Sequence, residues 1–119
     1  MEEYMNVTQE KNEKAVVVHL AGRFDFGARK TFKDAMDQAM KEEMPIVLDF
    51  KQVSFVDSSA LGLLVIAHQT LKSKKINFSL VNPQAYVQQV LDLANVAKMI
   101  PINQSMGEVP QARAISSGV

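Results

Sequence analysis

Apolar residues along this chain change repeatedly between strand-like and helix-like spacing, and this alternation limits the possible folds more than any other feature. Residues 15–21 form a β-branched run that stops at Gly22, which is typical of a strand followed by a turn. A stripe at helical spacing comes next and consists of Ala28, Phe32, Ala35, Met36, Ala39 and Met40. The alternation predicts an α/β domain in which one sheet is covered by helices.

The rest of the chain continues the alternation between strand-like and helix-like spacing. Strands are predicted at residues 5–11, 46–50, 76–81 and 99–102, with turns at 22–27 and 51–54. The first helix is expected to run for about 16 residues. Later helices are predicted from 58 or 59 to about 72, from 84 to about 95 and from 105 to about 115, followed by a frayed tail at 116–119. Pro83 is expected at the first position of the third helix, where no amide donor is lost.

Composition excludes several classes of protein. Thirteen basic residues balance thirteen acidic ones, so the chain lacks the excess of cations that non-specific nucleic-acid binding requires. There is no cysteine, which excludes disulfides, thiolate metal sites and cysteine nucleophiles. Glu2 and Glu3 stand where a signal peptide needs positive charge, and the apolar runs are far shorter than the roughly 20 residues that span a bilayer. We therefore expect a single cytoplasmic domain, residues 1–119, without membrane insertion.

The sequence offers little for catalysis. It contains neither Gly-x-Gly-x-x-Gly nor Gly-x-x-x-x-Gly-Lys-[Ser/Thr], the loops that cradle nucleotide phosphates. His19 and His68 belong to no ligand-spaced cluster, and His19 is more simply a satisfied or edge-facing histidine of its strand. Ser58 and His68 share one predicted helix about 15 Å apart along its axis, whereas a nucleophile and its base need about 3 Å. We therefore expect no catalytic residue, no metal and no cofactor.

Residues 55–62, Phe-Val-Asp-Ser-Ser-Ala-Leu-Gly, are the segment most able to carry a function. In one interpretation Asp57 or Ser58 simply caps the following helix. Capping accounts for one polar residue, but three of them, Asp57, Ser58 and Ser59, stand at the start of a strongly apolar helix. The same helix contains Gly62, and a glycine lowers helix stability by about 1 kcal/mol relative to alanine. A glycine there lets another surface approach the helix closely. The residues leave two interpretations open: a helix cap, and a partner-binding or modifiable site.

At these residues the chain resembles the STAS domain, in the branch of bacterial anti-anti-sigma factors (anti-sigma factor antagonists). The family pattern Asp-Ser-[Ser/Thr]-Gly-Leu-Gly is matched by residues 57–62, except that Ala60 replaces a glycine. Residues 20–25, Leu-Ala-Gly-Arg-Phe-Asp, resemble the family's Leu-x-Gly-x-Leu/Phe-Asp before its first long helix. Together with the order of elements, the resemblance spans nearly the whole chain. It implies a single STAS-like domain with a mixed four- to five-stranded sheet and about four helices, packed mainly on one face.

The resemblance also implies a function. An unphosphorylated domain of this family binds an anti-sigma factor and thereby releases a sigma factor, and phosphorylation of the serine after the aspartate, here Ser58, switches it off. The anti-sigma factor is often itself a serine kinase, and a PP2C-type serine phosphatase restores the binding form. The partner surface is predicted to consist of Asp25, Phe26, Asp57, Ser58, Ser59, Leu61 and Gly62.

Two other functions compete with this one. STAS-like domains also serve as scaffolds or accessory subunits, for example of lipid-transport or signalling assemblies, and the Asp-Ser-Ser segment would then be contact surface without a switch. Related domains have also been proposed to bind small ligands or nucleotides, but nothing in this sequence indicates a pocket.

Overall fold

Strands and helices alternate along the chain in the computed structural model, which describes residues 4–105. The strands are β1 (Asn6–Lys11), β2 (Val16–Phe24), β3 (Ile46–Val56), β4 (Phe78–Val81) and β5 (Ile102–Asn103). The helices are α1 (Arg29–Met40), α2 (Ser58–Ser73) and α3 (Ala85–Leu93), with short 3-10 turns at Phe26–Ala28 and Val96–Lys98. The helix predicted from residue 105 to about 115 and the tail at 116–119 lie outside the described residues, apart from residue 105 itself.

The five strands form one sheet in the order β1-β2-β3-β4-β5. β1 pairs antiparallel with β2, and every other neighbouring pair is parallel. Each parallel connection passes through a helix, as parallel pairing requires. The predicted α/β domain with a mixed sheet is therefore confirmed, with three α-helices in the described part of the chain.

The main apolar core lies between the sheet and the three helices. Leu20 on β2 and Leu48 on β3 belong to this core. Val17 and Val47, on the same two strands, belong to a separate small cluster on the other face of the sheet. The buried residues of α1 are Phe32, Ala35, Met36 and Ala39, with Met40 packed at the margin. The helical stripe predicted from the sequence is thus the face that α1 buries, and all three helices cover the same side of the sheet.

Two predicted turns are wrong, because β2 and β3 are longer than their apolar runs. β2 continues through Gly22 to Phe24, and β3 continues through residues 51–54 to Val56. The extensions pair with each other, ending in the register Phe24↔Val56. The pairing shifts register at Gly22, whose φ of 94° is a left-handed conformation that glycine adopts without strain. This long two-stranded extension carries the ends of both strands to the same place.

Other boundaries differ by smaller amounts. α1 has 12 residues rather than about 16, because Ala28 belongs to a separate 3-10 turn and the helix ends at Met40, shortly before Glu43 adopts a left-handed φ of 56°. Pro83 precedes the cap residue Gln84 and is therefore not the first residue of α3. β4 begins at Phe78, and β5 shares only Ile102 with the strand predicted at 99–102. No helix within residues 4–105 combines the length and apolar character needed to cross a membrane.

Candidate functional site

The site predicted from the sequence lies where β2 and β3 end side by side. Phe24 and Val56 are register partners in these parallel strands, and both are buried. Asp25 and Asp57 follow them directly, so the carboxyl ends of two neighbouring strands place these aspartates at the same edge of the sheet. Segments that are 32 residues apart in sequence thus meet in the fold.

Asp57, rather than Ser58, caps α2. Its Oδ1 atom accepts a hydrogen bond from the Ala60 amide at 3.0 Å, and its backbone oxygen accepts one from Leu61 at 3.1 Å. Ser58 is the first residue of the helix and its side chain is exposed. Asp57 therefore accepts the hydrogen bonds of first-turn amides of α2, and the neighbouring Ser58 is left exposed to solvent.

Ala60 departs from the family pattern without reaching the surface. Its side chain is fully buried in the core under the first turn of α2. A side chain in the core does not contact a docking surface, so this methyl group offers a partner no direct contact.

Asp25 caps the 3-10 turn at Phe26–Ala28 in the same way as Asp57 caps α2. Its Oδ1 atom accepts the Gly27 amide at 3.0 Å, and its backbone oxygen accepts the Ala28 amide at 2.9 Å. Its other carboxylate oxygen accepts a hydrogen bond from Nε of Arg23 at 3.2 Å. The resulting 3-10 turn holds Phe26 out into solvent, with 64% of that residue exposed. A large apolar side chain fixed in an exposed position is typical of a protein-contact surface.

Two arginines that the sequence reasoning missed flank this loop. The guanidinium carbon of Arg23 lies 4.0 Å from the ring centroid of Phe55, its register partner on β3. The guanidinium carbon of Arg29 lies 5.1 Å from the ring centroid of Phe26. Stacking of this kind orients both arginines. The Arg23–Phe55 contact depends on the parallel register and has no signal in the linear sequence, whereas the spacing of Phe26 and Arg29 is a local signal.

The outward stripe of α2 continues the site away from the strand ends. Ser58, Gly62 and Ile66 are exposed at four-residue intervals, and Ile66 is 60% exposed. A Cβ atom built on Gly62 would meet no heavy atom within 4 Å, so no close packing inside the chain requires this glycine. Ser59 and Leu61 are half-buried, and Leu61 packs against the core. Ile66 is not among the contact residues predicted from the sequence.

A family model for the STAS domain matches residues 6–109 of the chain. The chain belongs to the STAS domain family. This STAS domain is 30% identical over 88 residues to a STAS-domain containing protein of Pseudomonas aeruginosa, an alignment covering 74% of this chain and 87% of that one. It is 25% identical over 100 residues to the anti-sigma F factor antagonist of Paenibacillus polymyxa, covering 82% and 86% of the two chains.

The fold of this STAS domain is also that of the anti-sigma factor antagonist SpoIIAA. The unphosphorylated form of SpoIIAA superposes with a TM-score of 0.74 at 22% identity, covering 94% of this chain and 100% of that one. The phosphorylated form of SpoIIAA from Bacillus superposes with a TM-score of 0.66 at 21% identity, covering 92% and 99%. The family predicted from residues 20–25 and 57–62 is therefore confirmed, and its named relatives include anti-sigma factor antagonists.

The described part of this STAS domain offers no cluster of three or more His, Cys, Asp or Glu side chains that could hold a metal ion. What the strand edge does present is one exposed hydroxyl, two fixed carboxylates and exposed apolar side chains. These groups suit recognition of another protein and covalent modification of the hydroxyl.

Proposed function

We propose that this STAS domain is an anti-anti-sigma factor, which binds and sequesters an anti-sigma factor while Ser58 is unmodified and so releases a sigma factor for transcription. The observation that carries the proposal is the position of Ser58, exposed at the start of α2 and beside a cap that Asp57 already provides. The named relatives that antagonise anti-sigma factors support it.

Phosphorylation of Ser58 would switch this binding off without unfolding the domain. A phosphate adds about −1.5 to −2 charges. At a helix N-terminus the dipole and the first-turn amides stabilise negative charge, so α2 tolerates the modification. A partner surface complementary to a neutral hydroxyl does not tolerate it, and the carboxylate of the adjacent Asp57 adds to the negative charge at this point.

The proposal includes two enzymes that act on this domain. A serine kinase, which in this family is often the anti-sigma factor itself, would phosphorylate Ser58, and a PP2C-type phosphatase would remove the phosphate. The domain is their substrate and supplies no ATP site or metal of its own. The contact surface comprises Asp25, Phe26, Asp57, Ser58, Ser59, Leu61 and Gly62.

A release assay with purified proteins tests this function. The unmodified domain is added to a complex of the cell's own anti-sigma and sigma factors, and free sigma factor is measured by size-exclusion chromatography. We expect sigma factor to leave the complex in proportion to added domain. If every sigma–anti-sigma pair of the cell stays intact, the anti-anti-sigma assignment is wrong and the scaffold or accessory-subunit function takes its place.

Replacing Gly62 by alanine should separate stability from binding. The added methyl group meets open space in the isolated domain, so helix stability should rise by about 1 kcal/mol. In a complex that packs closely on this stripe, the same methyl should weaken binding by about 1–3 kcal/mol, roughly five- to 150-fold. Urea unfolding and titration calorimetry with the anti-sigma factor measure the two effects.

Gln38→Ala is the matched control for Gly62→Ala, because Gln38 is an exposed helical residue near the end of α1 and does not belong to the predicted contact surface. It should leave binding unchanged. Equal affinity of the Gly62→Ala variant and the wild type would show that the partner does not approach α2 closely at this position.

A further inference from the structure

A histidine on the face of the sheet opposite α1, α2 and α3 connects three strands through its side chain. The Nδ1 atom of His19, on β2, lies 2.7 Å from Oδ2 of Asp49 on β3. Its Nε2 atom lies 2.6 Å from Oε2 of Glu10 on β1. The imidazole ring therefore spans β2 and joins the edge strand to the middle of the sheet.

This geometry fits only the protonated form of the ring. Ionised carboxylates accept hydrogen bonds and donate none, and a neutral imidazole has a single N–H to donate. Two short contacts to two carboxylates therefore need both ring nitrogens to carry hydrogen, as in the imidazolium ion. When the proton leaves, one of the two hydrogen bonds is lost and the ring no longer separates two negative charges with a positive one.

The two carboxylates are held to very different degrees. Asp49 also accepts hydrogen bonds from the Lys51 amide and from Nδ2 of Asn82, both at 3.0 Å, so it stays in place whatever the state of His19. The side chain of Glu10 is 68% exposed and sits on an edge strand. Loss of the proton should therefore release the Glu10 side of the cluster and leave the Asp49 side intact.

The charges around the ring favour the cation. Burial lowers the pKa of His19, but the hydrogen bonds and negative charges of Glu10 and Asp49 outweigh it and raise the pKa above 6.5. Burial raises the pKa of Asp49, and hydrogen bonds from Asn82, Lys51 and His19 together with the charge of His19 lower it overall. The ammonium of Lys11, next to Glu10, pairs with Glu42 at 2.8 Å instead.

We propose that His19 is a proton-operated latch on β1: the protonated ring fastens the end of this edge strand to β3 through Glu10 and Asp49, and the neutral ring releases it. Because the pKa of His19 is raised by folding, the latch contributes fully below pH 6.5 and is lost as pH rises through the folded-state value. The tie one residue earlier is unaffected, since Nε2 of Gln9 still donates a hydrogen bond to the backbone oxygen of Ala35 on α1 at 2.9 Å. Opening the latch would therefore leave the last residues of β1 held by their pairing with β2 and by the exposed Lys11–Glu42 ion pair, so that they separate more often from the edge of β2.

Hydrogen exchange of the full chain tests the latch. Amide protection factors, corrected for the intrinsic pH dependence of exchange, are measured by NMR between pH 5.5 and 9. We expect protection of the amides at the end of β1 to fall by about tenfold for each unit by which the pKa of His19 is raised. Amides in β3 and β4 should not follow this pH dependence. Protection at the end of β1 that does not change across this range would overturn the proposal.

Three variants locate the effect. Glu10→Gln is an exposed change that should not impair folding, and it should flatten the pH profile at the end of β1, as should His19→Gln. His68→Gln changes the other histidine of the chain, which lies half-buried on α2, and should leave the profile as in the wild type. If the pH dependence of amide protection at the end of β1 persisted in Glu10→Gln, or disappeared in His68→Gln, the assignment of this pH dependence to His19 would be contradicted.

Discussion

Replacing Ser58 by aspartate is expected to weaken binding of the anti-sigma factor by about 30-fold to several thousand-fold. The range corresponds to the roughly 2–5 kcal/mol that an uncompensated charge costs at an interface. Ser58 is exposed at the first position of α2, so the new carboxylate is directed at the partner rather than into the core. Titration calorimetry or fluorescence anisotropy with the purified anti-sigma factor measures the change.

The fold should be unaffected by this substitution. Negative charge is favourable in the first turn of a helix, and the cap provided by Asp57 through the Ala60 amide does not involve Ser58. The free energy of unfolding in urea should therefore stay within about 0.5 kcal/mol of the wild type, as for other surface substitutions. A loss of binding without a loss of stability identifies the interface as its cause.

Two further variants at position 58 separate charge from size. Ser58→Asn has nearly the shape of the aspartate variant but no charge, and it should bind much more tightly than Ser58→Asp. Ser58→Ala cannot be phosphorylated, and it should bind constitutively. If Ser58→Asp bound the anti-sigma factor as tightly as the wild type, the charge-switch mechanism would be wrong.

Replacing Phe24 by alanine is expected to destabilise the domain by about 3–5 kcal/mol, the usual cost of removing a buried aromatic side chain. Phe24 is fully buried, and its ring centroid lies 4.8 Å from that of Phe32 on α1 and 6.1 Å from that of Phe50 on β3. A cavity there removes contacts between the end of β2 and two other elements. Urea unfolding monitored by circular dichroism gives the change.

The effect of Phe24→Ala should reach the functional site. Asp25 follows this side chain directly, and its capping of the 3-10 turn depends on where β2 ends. Phe55→Ala is the control, because Phe55 is only half-buried and the variant should cost less stability. Equal losses from the two variants would show that the core contacts of Phe24 do not support the strand end as described.

The order of elements could be predicted from the sequence because apolar spacing reports the local environment. The stripe of α1 matches the buried face of that helix, and the β-branched run at residues 15–21 matches the first part of β2, which is buried on both faces of the sheet. The ends of β2 and β3 could not be predicted in this way. Gly22 normally indicates a turn, and residues 51–54 contain only one buried side chain, Val53. Only their pairing with each other makes these residues strands.

Part of the candidate site could be predicted because its residues belong to continuous sequence motifs. Asp57 and Ser58 belong to one continuous motif, and Asp25 is the last residue of a second one. Their proximity, however, follows from the parallel register of two strands that are far apart in sequence. The contacts Arg23–Phe55 and His19–Asp49 also join register partners, so neither leaves a periodic signal.

In the proposed switch, phosphate on Ser58 decides whether the domain binds its partner. The most direct measurement is the intact mass, with the modified residue mapped, of the domain purified from its own cells in two pools, one bound to the anti-sigma factor and one free. We predict an unmodified bound pool and a free pool that carries one phosphate on Ser58. Phosphorylated Ser58 in equal amounts in both pools, or an unmodified free pool under all growth conditions, would contradict the switch.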